Sequence, residues 1–159
     1  MRTRHTTLAI GLSLALAAAG LATAALSADA KATIEARQAN MKKFGAAMKG
    51  VNDELKKDAP DLSIVKTNAA AVQDLAAKEP SWFPAGTGAE TGVKTAAKAE
   101  IWTDQPGFTA AAKKLETEAA KLEQLASAGD AAGAKDQTKA IAGACKGCHD
   151  KFRAPPEQH

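Results

Sequence analysis

The chain has 159 residues, a one-domain length, and its 21 basic side chains nearly balance 18 acidic ones to leave a net charge of +3. The lysines are scattered among glutamates and aspartates and no arginine-rich block occurs, so no nucleic-acid footprint is expected. The two cysteines, Cys145 and Cys148, are too few and too close for a disulfide scaffold, because closing a four-residue loop stabilises little.

The N-terminus reads Met1-Arg2-Thr3-Arg4-His5, followed by an uncharged run rich in Leu and Ala from Leu8 to Leu26. A positive start, an apolar stretch and small residues beyond it predict a secretory leader. Two A-x-A sites are available, Ala22-Thr23-Ala24 and Ala28-Asp29-Ala30. Cleavage after Ala30 is favoured because helical periodicity begins there, which divides the chain into a leader, 1–30, and a mature domain, 31–159. A retained membrane anchor is the rival, weakened by the low hydrophobicity of an Ala-rich run. The expected location is the periplasm, with no stable membrane association after cleavage.

From Lys31 to about Lys56, Ile34, Met41, Phe44, Met48, Val51 and Leu55 recur at helical spacing and predict a first amphipathic helix. Pro60 and its flanking aspartates signal a second start. Leu62, Val65, Ala69, Val72 and Ala76 carry that helix to about Lys78. The segment 79–105 holds Pro80, Pro84, three glycines, Trp82, Phe83 and Trp102. It is long for a structureless link and is expected to pack over a cofactor edge, to cap the bundle with its aromatics, or both. A third helix opens at Asp104 and Pro106, with Phe108, Ala112, Leu115, Ala119, Leu122 and Ala126 on its stripe. Gly129 reads as a left-handed cap and Asp130 as the N-cap of a fourth helix, which Pro155-Pro156 ends. Four amphipathic helices without a strand pattern predict an all-α, antiparallel four-helix bundle. Its core is Ala-rich and thin, so a bound group is expected to supply part of the apolar bulk.

The last helix carries Cys145-Lys146-Gly147-Cys148-His149, which is C-x-x-C-H, the attachment signature of a c-type haem. Ile141, Cys145, Cys148 and Phe152 share one helix face, so both thiols point inward, and His149 offers an axial nitrogen in the same turn. A zinc site would need a second ligand pair, and the mature chain has only His159 besides. A redox dithiol would sit at a helix N-terminus, where the dipole favours thiolate, whereas this pair lies near a C-terminal end. Met41 and Met48, both on the inner stripe of the first helix, are the sulfurs available to the other iron face. The alternative for each is plain core packing.

C-x-x-C-H close to the end of a four-helix bundle resembles the class II cytochromes c, which comprise cytochrome c′ and the low-spin cytochromes c-556. The likeness rests on Arg37-Gln-Ala-Asn-Met41 with Gly45 and Met48, on Phe83-Pro84-Ala-Gly-Thr-Gly88, on Glu100-Ile-Trp-Thr-Asp104, and on Cys145 through Arg153. It implies one covalent haem c with thioethers at Cys145 and Cys148 and with His149 as proximal iron ligand. Met41 falls at the family's distal position: a Met there binds iron in c-556 members, while c′ members keep an open site. Arg37 resembles the arginine that c′ members place near a haem propionate, and Arg153 resembles the basic residue beside the proximal imidazole.

The resulting expectation is a periplasmic one-electron carrier that docks transiently on redox proteins and is not an enzyme, with a homodimer implied by the resemblance. The alternative is a five-coordinate, c′-like protein that binds small gases such as nitric oxide.

Overall fold

The computed structural model describes the backbone of residues 13–155 and the side chains of residues 29–155. Its main helices are α1 (Ser13–Glu54), α2 (Leu62–Lys78), α4 (Gln105–Ser127) and α5 (Ala131–Phe152), with a single-turn helix α3 (Glu100–Thr103) in the long connection. Two short 3-10 turns, Glu79–Trp82 and Ala89–Thr91, punctuate that connection. The bundle is therefore as expected, but the segment 79–105 is more structured than a plain loop.

The capping chemistry explains the boundaries. Asp61, one of the aspartates flanking Pro60, is the N-cap of α2, its carboxylate accepting from the Ser63 N–H at 2.9 Å. Asp104 caps α4 by accepting from Gly107 N–H, with Pro106 in the first turn, where a missing N–H costs nothing. Gly129, at φ +75°, makes the left-handed turn that lets Asp130 cap α5 through Gly133 N–H. Buried Glu54 accepts from the Asp61 N–H at 2.8 Å and from Lys57, locking the α1–α2 turn.

The first helix corrects one expectation. It was expected to begin at Lys31, yet α1 runs unbroken from Ser13, so the favoured cleavage point after Ala30 is not a secondary-structure boundary. Residues 1–12 of the expected leader lie outside the described residues. Among those described, no helix is long and apolar enough to cross a membrane.

Packing follows the small residues. On α2, Val65, Ala69, Val72 and Ala76 are fully or almost fully buried, facing Ala112, Ala119, Leu122 and Ala126 of α4. Ala at these seams lets the backbones approach closely, and α1 packs on α2, α2 on α4, and α4 on α5. The fourth seam is different: α1 and α5 touch only slightly. The bundle is splayed there, and the inner faces of α1 and α5 flank a cavity instead of each other.

A second apolar cluster closes one end. Phe83, Phe108 and Phe152 stack edge to face with centroid distances of 5.1 and 5.4 Å, over buried Ile101. The backbone that follows α5 pairs with the long connection: Lys98 N–H donates to Phe152 O at 3.0 Å and Ala154 N–H to Ala96 O at 2.8 Å. Lys151 and Asp104 form an ion pair that ties the end of α5 to the start of α4. The connection is thereby fixed beside the end of α5 that carries the C-x-x-C-H motif.

Candidate functional site

The cavity in the α1–α5 seam has a volume of about 840 Å³ and a mostly apolar wall. Cofactor-sized ligands occupy cavities of roughly 300–1,000 Å³. Phe44 of α1, Leu115 of α4 and Ile141 of α5 line its inner part, and Phe83, Ile101, Phe108 and Phe152 line the closed end.

All six residues singled out from the sequence meet here. Cys145, Cys148, His149 and Arg153 line the cavity from α5 and its C-cap, and Arg37 and Met41 line it from α1. Met48 lines it too, while packing against the main core. The two methionines are only half-buried, unlike Ile34 and Val51 on the same helix, because they face the open seam. Trp82 and Trp102 do not line the cavity; the contribution of segment 79–105 comes from Glu79, Phe83, Thr95, Ala96, Ala97 and Ile101. Trp102 instead donates its indole N–H to the carbonyls of Phe83 and Pro84, both at 3.1 Å, and so holds Phe83 in place. His159 lies outside the described residues.

The thiol chemistry separates the readings left open by the motif. Cys145 and Cys148 are half-buried and not joined to each other. Burial, then the neighbouring Glu79 carboxyl, pushes the Cys148 thiol up to about 11, and burial also raises Cys145. A reactive dithiol needs the opposite shift, so this pair is poorly built for disulfide exchange. Neutral, inward-facing thiols suit addition to the vinyl groups of a haem. Among the described residues no three His, Cys, Asp or Glu side chains group as metal ligands.

His149 sits at the cavity rim. Desolvation against the wall, then the charge of Arg153, holds its imidazole below the ordinary range, with Asp150 opposing. The neutral imidazole is the form that ligates a metal.

Arg37 is 4% exposed, far from a solvated surface charge. Its guanidinium donates to Thr87 Oγ1 at 3.1 Å, Thr87 O at 3.0 Å and Thr95 Oγ1 at 2.9 Å, and lies 4.7 Å from the centroid of the Phe83 ring. Burial lowers its pKa, but a guanidinium stays charged. These bonds use three of its five donors, which leaves capacity for an anionic group such as a propionate. Lys42, Lys139 and Arg153 also line the cavity, so its polar fringe is mainly cationic. An apolar interior, two thiols on one wall and this cationic fringe fit a haem with its two carboxylates.

Glu79 was missed by the sequence reading. It is the one acidic residue on the cavity wall, is 4% exposed, and its Oε2 has no hydrogen-bond partner. The signal was present: Val65, Ala69, Val72, Ala76 and Glu79 step by four, three, four and three along one buried stripe. Burial raises its carboxyl from 4.5 to about 7. The native state then binds the proton more tightly than the unfolded chain, so this contribution is intact below pH 4.5 and is lost as pH rises through about 7. The loss is on the order of 3 kcal/mol. Glu79→Leu is therefore expected to be more stable than wild type at pH 8 and to lose most of that advantage at pH 4, as measured by urea unfolding at both. An advantage that does not change with pH would contradict the assignment.

Comparisons with known proteins agree with this geometry. The family model described as Cytochrome C′ matches residues 32–153. Cytochrome c′ of Rhodospirillum rubrum is 35% identical over 140 residues, which span 88% of this chain and 94% of the relative. Among solved structures, cytochrome c′ from Rubrivivax gelatinosus superposes with a TM-score of 0.71 at 34% identity, covering 78% of this chain and 96% of that one. A nitric oxide complex of a variant cytochrome c′ from Alcaligenes xylosoxidans superposes with a TM-score of 0.69 at 25% identity, covering 77% and 94%. From the C-x-x-C-H motif to the splayed α1–α5 seam, this chain belongs to the cytochrome c′ family, and its cofactor is one covalent haem c.

Proposed function

We propose that this is an exported, periplasmic haem protein whose face toward α1 takes small neutral gases such as nitric oxide. Cys145 and Cys148 would hold the haem through thioethers, His149 would supply a nitrogen to its iron, and Arg37 and Arg153 would meet its charged fringe. The bound haem supplies the iron coordination and redox chemistry. The chain's own part is to shield that group in an apolar seam, to present a neutral imidazole from α5, and to keep room on the α1 side. The observation that carries the reading is the wall around Met41. Gly45, one turn beyond it on the cavity face, contributes no side chain and has no neighbouring atom within 4 Å of where a Cβ would stand. The nitric oxide complex of the Alcaligenes xylosoxidans relative supports the choice of ligand class. The function needs no general acid, base or nucleophile, so it is that of a binding protein and not an enzyme.

A second reading has one specific observation in its favour: the Met41 side chain lines the same cavity as His149, from the opposite helix. With that sulfur on the iron the protein would be a six-coordinate electron carrier for periplasmic redox proteins. Absorption and spin-state spectra of wild type and Met41→Ala, in both oxidation states, decide between them. High-spin haem in the wild type, unchanged by the substitution and binding nitric oxide when ferrous, supports the gas site. Low-spin haem that turns high-spin in Met41→Ala would transfer the function to electron transfer. The homodimer stays an expectation of the family; Ile64 on α2, 41% exposed, is the one large apolar side chain exposed among the described residues.

A further inference from the structure

The Glu79 carboxyl is buried on the cavity wall and only partly satisfied there. A carboxyl buried to 4% exposure normally pairs with a cation or satisfies both oxygens, yet Oε2 has no partner. The cavity holds cations, but they do not reach it: Arg37 is committed to Thr87 and Thr95, and desolvation alone governs the Glu79 carboxyl. Lys42 on α1 and Lys139, His149 and Arg153 on α5 are the other charged or titratable groups on the wall. On α2, nearby Lys78 is paired with Asp74, and α4 contributes only Phe108 and Leu115. Glu79 shares the cavity wall with Cys145 and Cys148, and its charge acts on both thiols. Those sulfurs would be the haem's attachment points, so the carboxyl lines the cavity that would hold the group they anchor.

We infer that Glu79 is a redox-linked proton site, more protonated when the haem iron is ferrous and more ionised when it is ferric. A one-electron donor reduces the ferric iron, and the Glu79 carboxylate population takes up protons from solvent, on average about half a proton per electron midway between two acid constants that differ tenfold; oxidation returns both. The physical reason is that ferric iron adds a positive charge which favours the anion. In a buried site of effective dielectric about 20, unit charges about 10 Å apart shift an acid constant by roughly tenfold. Burial already raises this carboxyl to about 7, which brings its titration into the physiological range. The inference rests on the haem assignment but not on whether the distal face takes a gas or Met41.

The test is a potentiometric titration of the holoprotein between about pH 5 and about pH 9, on wild type and Glu79→Gln. The ferrous state holds the proton more tightly, so the wild-type potential is expected to fall as pH rises across the neutral range. A tenfold difference in carboxyl acidity between the two states corresponds to a total fall of about 59 mV. In Glu79→Gln that component should vanish, with the haem spectrum retained. A pH-independent wild-type potential, or the same fall in Glu79→Gln, would overturn the inference and leave the haem assignment intact. A preparation with no covalent haem would instead overturn the haem assignment. If Glu79→Gln does not fold, the redox-difference infrared spectrum of wild type labelled with carbon-13 glutamate decides: a label-sensitive protonated-carboxyl band must appear on reduction, and its absence refutes the proposal.

Discussion

Replacing both cysteines, Cys145→Ala with Cys148→Ala, is expected to yield a chain without covalent haem that no longer unfolds cooperatively. The argument is one of volume. A residual cavity costs about 24 cal/mol per Å³ in a packed core. Applied to about 840 Å³, that figure is on the order of 20 kcal/mol, above the entire stability of a typical domain, about 5–15 kcal/mol. The cavity is partly open and would partly collapse, so the true cost is smaller. Even a third of it would remove most of the margin. The rest of the core offers little reserve, since Ala69, Ala76, Ala119, Ala126 and Ala134 fill positions that larger side chains hold in sturdier bundles. The α2–α4 and α4–α5 seams should persist as helix, with the α1–α5 seam fluid. Far-ultraviolet circular dichroism should stay largely helical while the near-ultraviolet signal from Trp82 and Trp102 fades. A sharp urea transition at the wild-type midpoint would show that the haem is not part of the core.

Arg37→Leu is expected to cost about 3 kcal/mol and to release the connection that closes the cavity. The substitution removes three charge-assisted hydrogen bonds and the contact with Phe83, and it leaves the Thr87 carbonyl short of a donor inside the protein. Lysine would not replace it, because one ammonium cannot span Thr87 and Thr95 in the plane that the guanidinium fork occupies. The measurements are urea unfolding and limited proteolysis. Cleavage should appear between Phe83 and Lys98, which α1 otherwise holds through Arg37 and through Gln38 Nε2–H to Lys94 O. Stability within about 0.5 kcal/mol of wild type would mark Arg37 as dispensable to the fold.

Both residues that reshape this site sit where a charge is easily overlooked. Arg37 falls between Ile34 and Met41, and Glu79 continues the stripe that ends at Ala76. Read as apolar positions, 34, 37, 41, 44, 48, 51 and 55 are one unbroken seam, yet the side chain at 37 is buried by its hydrogen bonds to a segment some fifty residues away. Nothing within α1 reveals that partner. The 3-10 turn at Glu79–Trp82 likewise extends the inner face of α2 past its last α-helical residue, which a helix ending at Lys78 conceals. The start of α1 was misplaced for a related reason: the periodicity of 31–56 changes to an Ala-rich run, but Ala is the strongest helix former and the backbone continues through it.

By itself the sequence determined whatever depends on neighbours a few residues apart. That includes the caps at Asp104, Gly129 and Asp130, the helical stripes, and the C-x-x-C-H turn that places two thiols and an imidazole on one end of α5. Local hydrogen bonds and side-chain spacing specify these without reference to the rest of the chain. Only the tertiary structure decided that α1 and α5 stand apart, that Arg37 is a buried tie, and that Glu79 Oε2 is left without a partner on the wall that also carries the cysteines. Those outcomes depend on how the four main helices close, with alanines recurring among the larger core residues of α2, α4 and α5. Alanine lets α1, α2, α4 and α5 draw together in sequence order, and the remaining seam, lined by methionines, aromatics and cysteines, is left wide enough for a haem.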